Sequence, residues 1–109
     1  MSSSKPLRGQ VYRVAIGTIG LKSYVIVSNN QRNRLLDSVL AVRVTTTDKS
    51  SIPTAVPLGP EDPVVGYILA DDIVELFDDE LVSGNYLGSL SPSTIIGLNT
   101  ALMQALGIP

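Results

Sequence analysis

The sequence predicts a mainly β protein of the α+β class: a small antiparallel sheet, curled toward a barrel and closed by one C-terminal helix. Three observations lead there. Short apolar, β-branched runs recur along the first three quarters of the 109 residues, glycines, prolines and polar clusters separate them, and helical spacing appears only at the end.

Residues 10–16, QVYRVAI, set Tyr12, Val14 and Ile16 on one side and Val11, Arg13 and Ala15 on the other, the period of a half-buried strand. Gly17 and Gly20 of GTIG mark a loop. YVIVS, 24–28, is β-branched and nearly uniformly apolar, which predicts a strand covered on both faces. NNQRNRLLD reads as irregular or briefly helical. VLAVRVT, 39–45, predicts a third strand, and the polar loop TTDKSS follows it. IPTAVPL, 52–58, is strand-like, with Pro53 and Pro57 confining it to a sheet edge. VVGYILA, 64–70, and DIVEL give a fifth strand with room for a sixth, and DDELV one helical turn.

Ser91 and Pro92 form an N-cap and first-turn pair, and Gly107 and Pro109 supply the stop. Ile95, Leu98, Leu102, Ala105 and Leu106 fall at helical spacing between them. No residue from 91 to 109 is charged. A solvated helix carries charge on its outer face, so this one is expected to be covered by the sheet and by a second subunit.

The length suits one domain over 1–109, and 44% hydrophobic with 17% charged residues is a globular composition. A chain this small buries its apolar surface only marginally, which favours an oligomer. There are no cysteines and no histidines. Disulfides, thiol nucleophiles, imidazole bases and the commonest metal ligands are therefore excluded. The N-terminal MSSSKPLRGQ lacks an apolar core, and no run approaches the roughly 18 apolar residues of a membrane span, so a cytoplasmic location is expected.

The net charge of −2 conceals a segregation. Residues 1–36 hold Lys5, Arg8, Arg13, Lys22, Arg32 and Arg34 and no acid, whereas residues 37–109 hold all ten acids with only Arg43 and Lys49, giving +6 and −8. The first third can thus present a basic surface to phosphates although the whole chain is acidic, because exposed charges are screened beyond about 10 Å at 0.1 M salt.

Three features stand out: Lys22 just before the 24–28 strand, the TTT run at 45–47, and SNNQRNR at 28–34. If strands 24–28 and 39–45 pair antiparallel, Lys22 lies beside Thr45, and a cation and a hydroxyl share one rim of the sheet. Lysines also flank strands to blunt edges, and threonines are common in strands and turns.

The order RGQVYRV, a glycine loop and cation, YVIVSNNQRNR, VLAVRVTTTDKSSIPTAVPL and a terminal GSLSPSTIIGLNTALMQALGIP resembles the MazF/PemK family of toxin endoribonucleases, actinobacterial type, from Leu7 to Ile108. The resemblance implies an SH3-like barrel with a C-terminal helix, a homodimer, cleavage of single-stranded RNA with neither metal nor cofactor, and a MazE-like antitoxin that blocks the groove. Family members commonly carry RP where this chain has Lys22 and Ser23. The resemblance therefore assigns the catalytic cation to Lys22 and the catalytic hydroxyl to Thr45, with Thr46 as the alternative because the loop length varies. A guanidinium grips phosphate bidentately, whereas an ammonium is a point charge.

The side chains themselves suit recognition: Ser28, Asn29, Asn30, Gln31 and Thr46 carry donors and acceptors for RNA, and Arg32 and Arg34 can contact phosphates or stack on bases. Tyr12 and Tyr24 offer stacking faces but suit a core. Asp72, where the family often has a base-contacting glutamine, suits a structural role. Two alternatives remain at this point. One is a CcdB-like gyrase inhibitor, which shares the fold but ends in a tryptophan-containing tail absent here. The other is a catalytically silent homologue that keeps antitoxin or RNA binding.

Overall fold

The computed structural model describes residues 5–109. The elements run β1 (Gln10–Ile16), β2 (Gly20–Ile26), α1 (Asn30–Leu35), β3 (Ser38–Thr45), β4 (Ala55–Pro57), β5 (Tyr67–Phe77), α2 (Asp78–Val82), β6 (Asn85–Ser89) and α3 (Pro92–Leu106). The six strands form one sheet in the order β4-β5-β3-β2-β1-β6, and every pairing is antiparallel. The proline-flanked β4 is an edge strand, as Pro53 and Pro57 require.

The two edges, β4 and β6, do not pair with each other, so the barrel stays open. The loop 58–66 bridges the gap instead. Leu58 N–H donates to Gly66 O at 2.9 Å and closes the loop on itself. At its centre the Asp62 carboxylate accepts from Gly59 N–H at 2.7 Å, Ser91 N–H at 2.8 Å and the Thr94 hydroxyl at 2.6 Å. One side chain thereby ties the β4–β5 connection to the start of α3. Burial acts to raise the Asp62 carboxyl, but these hydrogen bonds outweigh it and hold the group below its ordinary 3.8.

Alternation along the strands creates two cores. Val11, Val25, Val42, Val44 and Ile68 pack beneath α3 with Leu90, Leu98 and Ala101. Val14, Tyr24, Ile26, Val39, Ala41 and Leu76 pack on the other face with Leu81 of α2. Each fully buried aliphatic side chain contributes roughly 1.5–3 kcal/mol. α3 has the expected ends, with the Ser91 hydroxyl accepting from Thr94 N–H and Gly107 at φ 71 as a left-handed cap. Its buried residues are Thr94, Leu98 and Ala101, while Ile96, Met103 and Leu106 are exposed. Within this chain the uncharged helix is covered on one side.

Three sequence-based expectations need correction. β2 begins at Gly20 and ends at Ile26, so Lys22 lies inside the strand and Ser28 beyond it. Residues 67–77 form one continuous strand, whose register against β3 shifts between Val42 and Val44. The sixth strand is NYLGS, 85–89, a glycine-containing stretch with no buried residue to betray a strand. No helix among the described residues is long and apolar enough to cross a membrane.

Candidate active site

The β2–β3 ladder runs only through Ile26–Ala41, Val25–Val42 and Tyr24–Arg43. Beyond that point β2 continues to Gly20 paired with β1, and β3 continues to Thr45 paired with β5. The sheet therefore splits at one end into two lips. A cavity of about 540 Å³ occupies the split, lined by Arg13, Leu21, Lys22 and Ser23 on one lip, Arg43 through Thr47 on the other, and Pro63 to Val65 as a wall.

Continuing the register past Tyr24–Arg43 sets position 22 opposite position 45. Paired antiparallel positions share a face, so Lys22, Arg43 and Thr45 belong to one face of the sheet, and Arg13 and Ser23, themselves a pair, to the other. Lys22 and Thr45 both line this cavity. Lys22 is exposed and Thr45 half-buried.

Local structure fixes the hydroxyl. Thr45 Oγ1 accepts from Thr47 N–H at 3.2 Å, a turn that orients the side chain and leaves its O–H to donate. Behind it, Gly66 at φ +117 lies so close that a Cβ there would sit 2.1 Å from the Thr45 carbonyl oxygen and 3.2 Å from Thr46 Cα. Only glycine combines that backbone angle with that approach. The opposite wall, Pro63 to Val65, belongs to the loop clasped by Asp62. Pro63 packs against β6, where a Cβ on Gly88 would approach its ring to 3.0 Å.

The cations differ in what they touch. Arg43 Nε lies 3.1 Å from Asp72 Oδ2, in a geometry that leaves the Nε–H without a hydrogen bond. This ion pair gives Asp72 the structural role expected of it. Arg13 and Lys22 have no side-chain hydrogen bond or ion pair among the described residues. Asp48, exposed nearby, is held low by the Ser50 N–H and then by hydroxyl contacts, and its contact with Tyr67 raises that phenol. No cluster of three or more carboxylates among the described residues is arranged to hold a metal ion.

The SNNQRNR segment is not brought to this cavity. It follows the opposite end of β2, about 20 Å from Lys22 at ~3.3 Å per residue. Ser28 is 6% exposed, and its hydroxyl contacts the Asn33 side chain and accepts from Leu40 N–H at 2.9 Å. Ser28 is therefore a core hydroxyl, already bonded within the chain, and not the RNA contact expected of it. Asn29 caps α1 by accepting from Arg32 N–H at 2.8 Å, and Asn30 Oδ1 accepts from Arg8 N–H at 2.7 Å. Arg32 donates to Ser38 O at 2.9 Å and pairs with Glu75 at 3.9 Å. Asn29, Asn30 and Arg34 are exposed, but none lines the cavity.

Thr46 does line it, and is exposed. Tyr24, 1% exposed, is core, and burial above all raises its phenol. Tyr12 is half-buried against Tyr86, with ring centroids 5.4 Å apart. Sequence reasoning missed Arg13, Ser23 and Arg43 as cavity residues. The signal available was a single arginine inside each of two otherwise apolar strands.

A small curled sheet with a C-terminal helix, split at one end around a cleft that carries Arg13 and Lys22, defines the class: a small mainly β domain with a cationic cleft. The sequence profile of the PemK-like, MazF-like toxins of type II toxin–antitoxin systems matches residues 7–106, and the chain belongs to that family. It is 55% identical over 104 residues to Endoribonuclease MazF4 of Mycobacterium tuberculosis (strain H37Rv) and to Endoribonuclease MazF1 of Mycobacterium bovis, covering 95% of each partner and of itself.

Among solved structures, an endoribonuclease in complex with its cognate antitoxin from a mycobacterial species superposes with TM-score 0.90 at 55% identity, over 95% of this chain and 97% of that one. MazE-MazF from Deinococcus radiodurans, at TM-score 0.80 and 22% identity over 98% and 100%, shares the fold. These likenesses lend no support to the gyrase-inhibitor or silent-homologue alternatives.

Proposed function

We propose that this chain is a toxin endoribonuclease that cuts single-stranded RNA in the β2–β3 cleft, with Lys22 and Thr45 as its catalytic residues and Thr46 as an RNA contact. The observation that carries the reading is that an ammonium without a side-chain partner among the described residues and an oriented hydroxyl line one cavity where the sheet splits. The mycobacterial relatives named as endoribonucleases support the activity.

The 2′-hydroxyl of the ribose attacks the adjacent phosphorus. The O2′–P bond forms, the P–O5′ bond breaks, and the fragments carry a 2′,3′-cyclic phosphate and a 5′-hydroxyl. The Lys22 ammonium neutralises charge gathering on the non-bridging oxygens and gives a proton to the departing O5′, while the 2′-hydroxyl proton passes to solvent. The Thr45 O–H donates to a non-bridging oxygen. Because RNA carries its own nucleophile, holding it in line supplies much of the rate, and the chemistry requires no metal.

The whole of residues 1–109 acts as one domain in the cytoplasm, where mRNA is the substrate. A MazE-like antitoxin covers the cleft, and the mycobacterial endoribonuclease solved in complex with its cognate antitoxin supports a partner of that kind. A homodimer is the working form, and the exposed apolar residues of α3 support it.

The test is incubation of purified protein with a long RNA in EDTA, followed by analysis of the ends. Defined cuts with cyclic phosphate termini are expected, and Lys22→Ala and Thr45→Ala should each reduce the rate by about 10²–10³ without changing dimerisation. Intact RNA, or full activity in both variants, overturns the reading.

A further inference from the structure

Both lips of the cleft carry cations, but they are not equivalent. All eight basic residues of the chain lie in the described region, and four are engaged: Lys5 with Asp78, Arg8 with Val27 O and Asn99, Arg32 with Ser38 and Glu75, and Arg43 with Asp72. Of the four without such partners among the described residues, Lys49 and Arg34 do not line the cavity, and Arg13 and Lys22 do. The β3 lip thus carries a charge already cancelled by Asp72, and the β1–β2 lip carries two without a partner among the described residues.

Arg13 is also held in place. Its backbone pairs with Ser23 of β2 on one side and Asn85 of β6 on the other. Gly84 packs against it so closely that a Cβ there would approach the Arg13 carbonyl oxygen to 2.7 Å. A guanidinium at a fixed origin, exposed and next to a serine in the same cavity, is suited to bidentate capture of a phosphate. Strand alternation puts Arg13 and Ser23 on the face opposite Lys22 and Thr45. One phosphate cannot be shared by both pairs, and neighbouring phosphates of one strand can be divided between them.

We propose that Arg13, assisted by Ser23, binds an RNA phosphate adjacent to the scissile one, so that the guanidinium fork absent from position 22 is supplied from β1 to a different phosphate. This rests on the ribonuclease reading above. Arg13 is a substrate-binding residue and takes no part in proton transfer. It contributes affinity and register, and Lys22 and Thr45 contribute rate.

The experiment compares wild type, Arg13→Ala, Arg13→Lys, Ser23→Ala and Arg34→Ala. It measures kcat and KM on a cleavable RNA, and the salt dependence of Kd on the same RNA with a 2′-deoxy sugar at the cut site. Arg13→Ala should raise KM and Kd about tenfold, leave kcat within about twofold, and flatten the slope of log Kd against log salt by about 0.7. Arg13→Lys should keep the slope and recover part of the affinity, Ser23→Ala should weaken binding about threefold, and Arg34→Ala should change neither quantity.

A fall in kcat at unchanged KM, an unchanged slope in Arg13→Ala, or an equal flattening in Arg34→Ala overturns the inference while wild-type cutting keeps the ribonuclease reading intact. A wild type that neither binds nor cuts RNA overturns both.

Discussion

Lys22 and Arg32 lie near the two ends of β2, and both were candidates for contact with RNA. Their surroundings separate them. Around Lys22 the ladder to β3 has stopped, the cation has no side-chain partner among the described residues, and a cavity opens. Around Arg32 the hydrogen bonds are internal: Ser28 and Asn33 bind each other, Asn29 caps a helix, and Arg32 spans Ser38 and Glu75. Asn33 is 0% exposed and its amide donates to Ser28 O at 3.1 Å. Residue type alone does not distinguish a binding site from a polar anchor. The distinguishing feature is whether the donors and acceptors are already used.

Three changes sharpen that contrast. The largest effect is expected from Gly66→Ala, where the new Cβ collides with the Thr45 carbonyl in a backbone conformation that alanine resists. Stability should fall by about 3 kcal/mol in denaturant titration, and RNA cutting per folded molecule should fall with it, because Thr45 is displaced. Full activity in the folded variant would show that the threonine needs no such support.

Asn33→Ala attacks the other end and leaves the buried Ser28 groups without their partner. A loss of about 2 kcal/mol is expected, with cutting per folded molecule unchanged. Reduced cutting at full stability would restore the 28–34 segment as an RNA surface.

The smallest effect concerns acid. The Asp62 carboxyl is held below 3.8 in the folded chain, so its stabilising contribution is complete above the unfolded pKa and fades as pH falls through the lower folded value. Stability should therefore decline below about pH 4, and Asp62→Asn should cost about 1.5 kcal/mol at neutral pH while removing that part of the acid dependence. An identical pH profile in wild type and variant would rule out the clasp as its source.

Much of this architecture was legible. β1, β3, the edge position of β4, the short α2 and the ends of α3 follow from alternation, proline chemistry and capping. β2 extends further toward the N-terminus than expected because Lys22 and Ser23 face a cleft, where a strand has no need of apolar side chains. β5 reads as two segments because Asp71 and Asp72 interrupt its apolar run, and Asp72 is tolerated there as the partner of Arg43. β6 escaped because its half-exposed edge position demands no hydrophobic pattern. The rim shared by Lys22 and Thr45 was readable, since a ten-residue connection fixes which ends of two antiparallel strands meet. The destination of the 28–34 amides was not, because it depends on helix capping and burial that no local pattern records.

The halted ladder has one more implication. Residues 21–23 of β2 lie beyond the last ladder pair with β3, Tyr24–Arg43, whereas residues 24–26 lie within the ladder. A single strand is thus zipped shut at one end and unfastened at the other, and its amide protons should exchange with solvent along a steep gradient over a few residues.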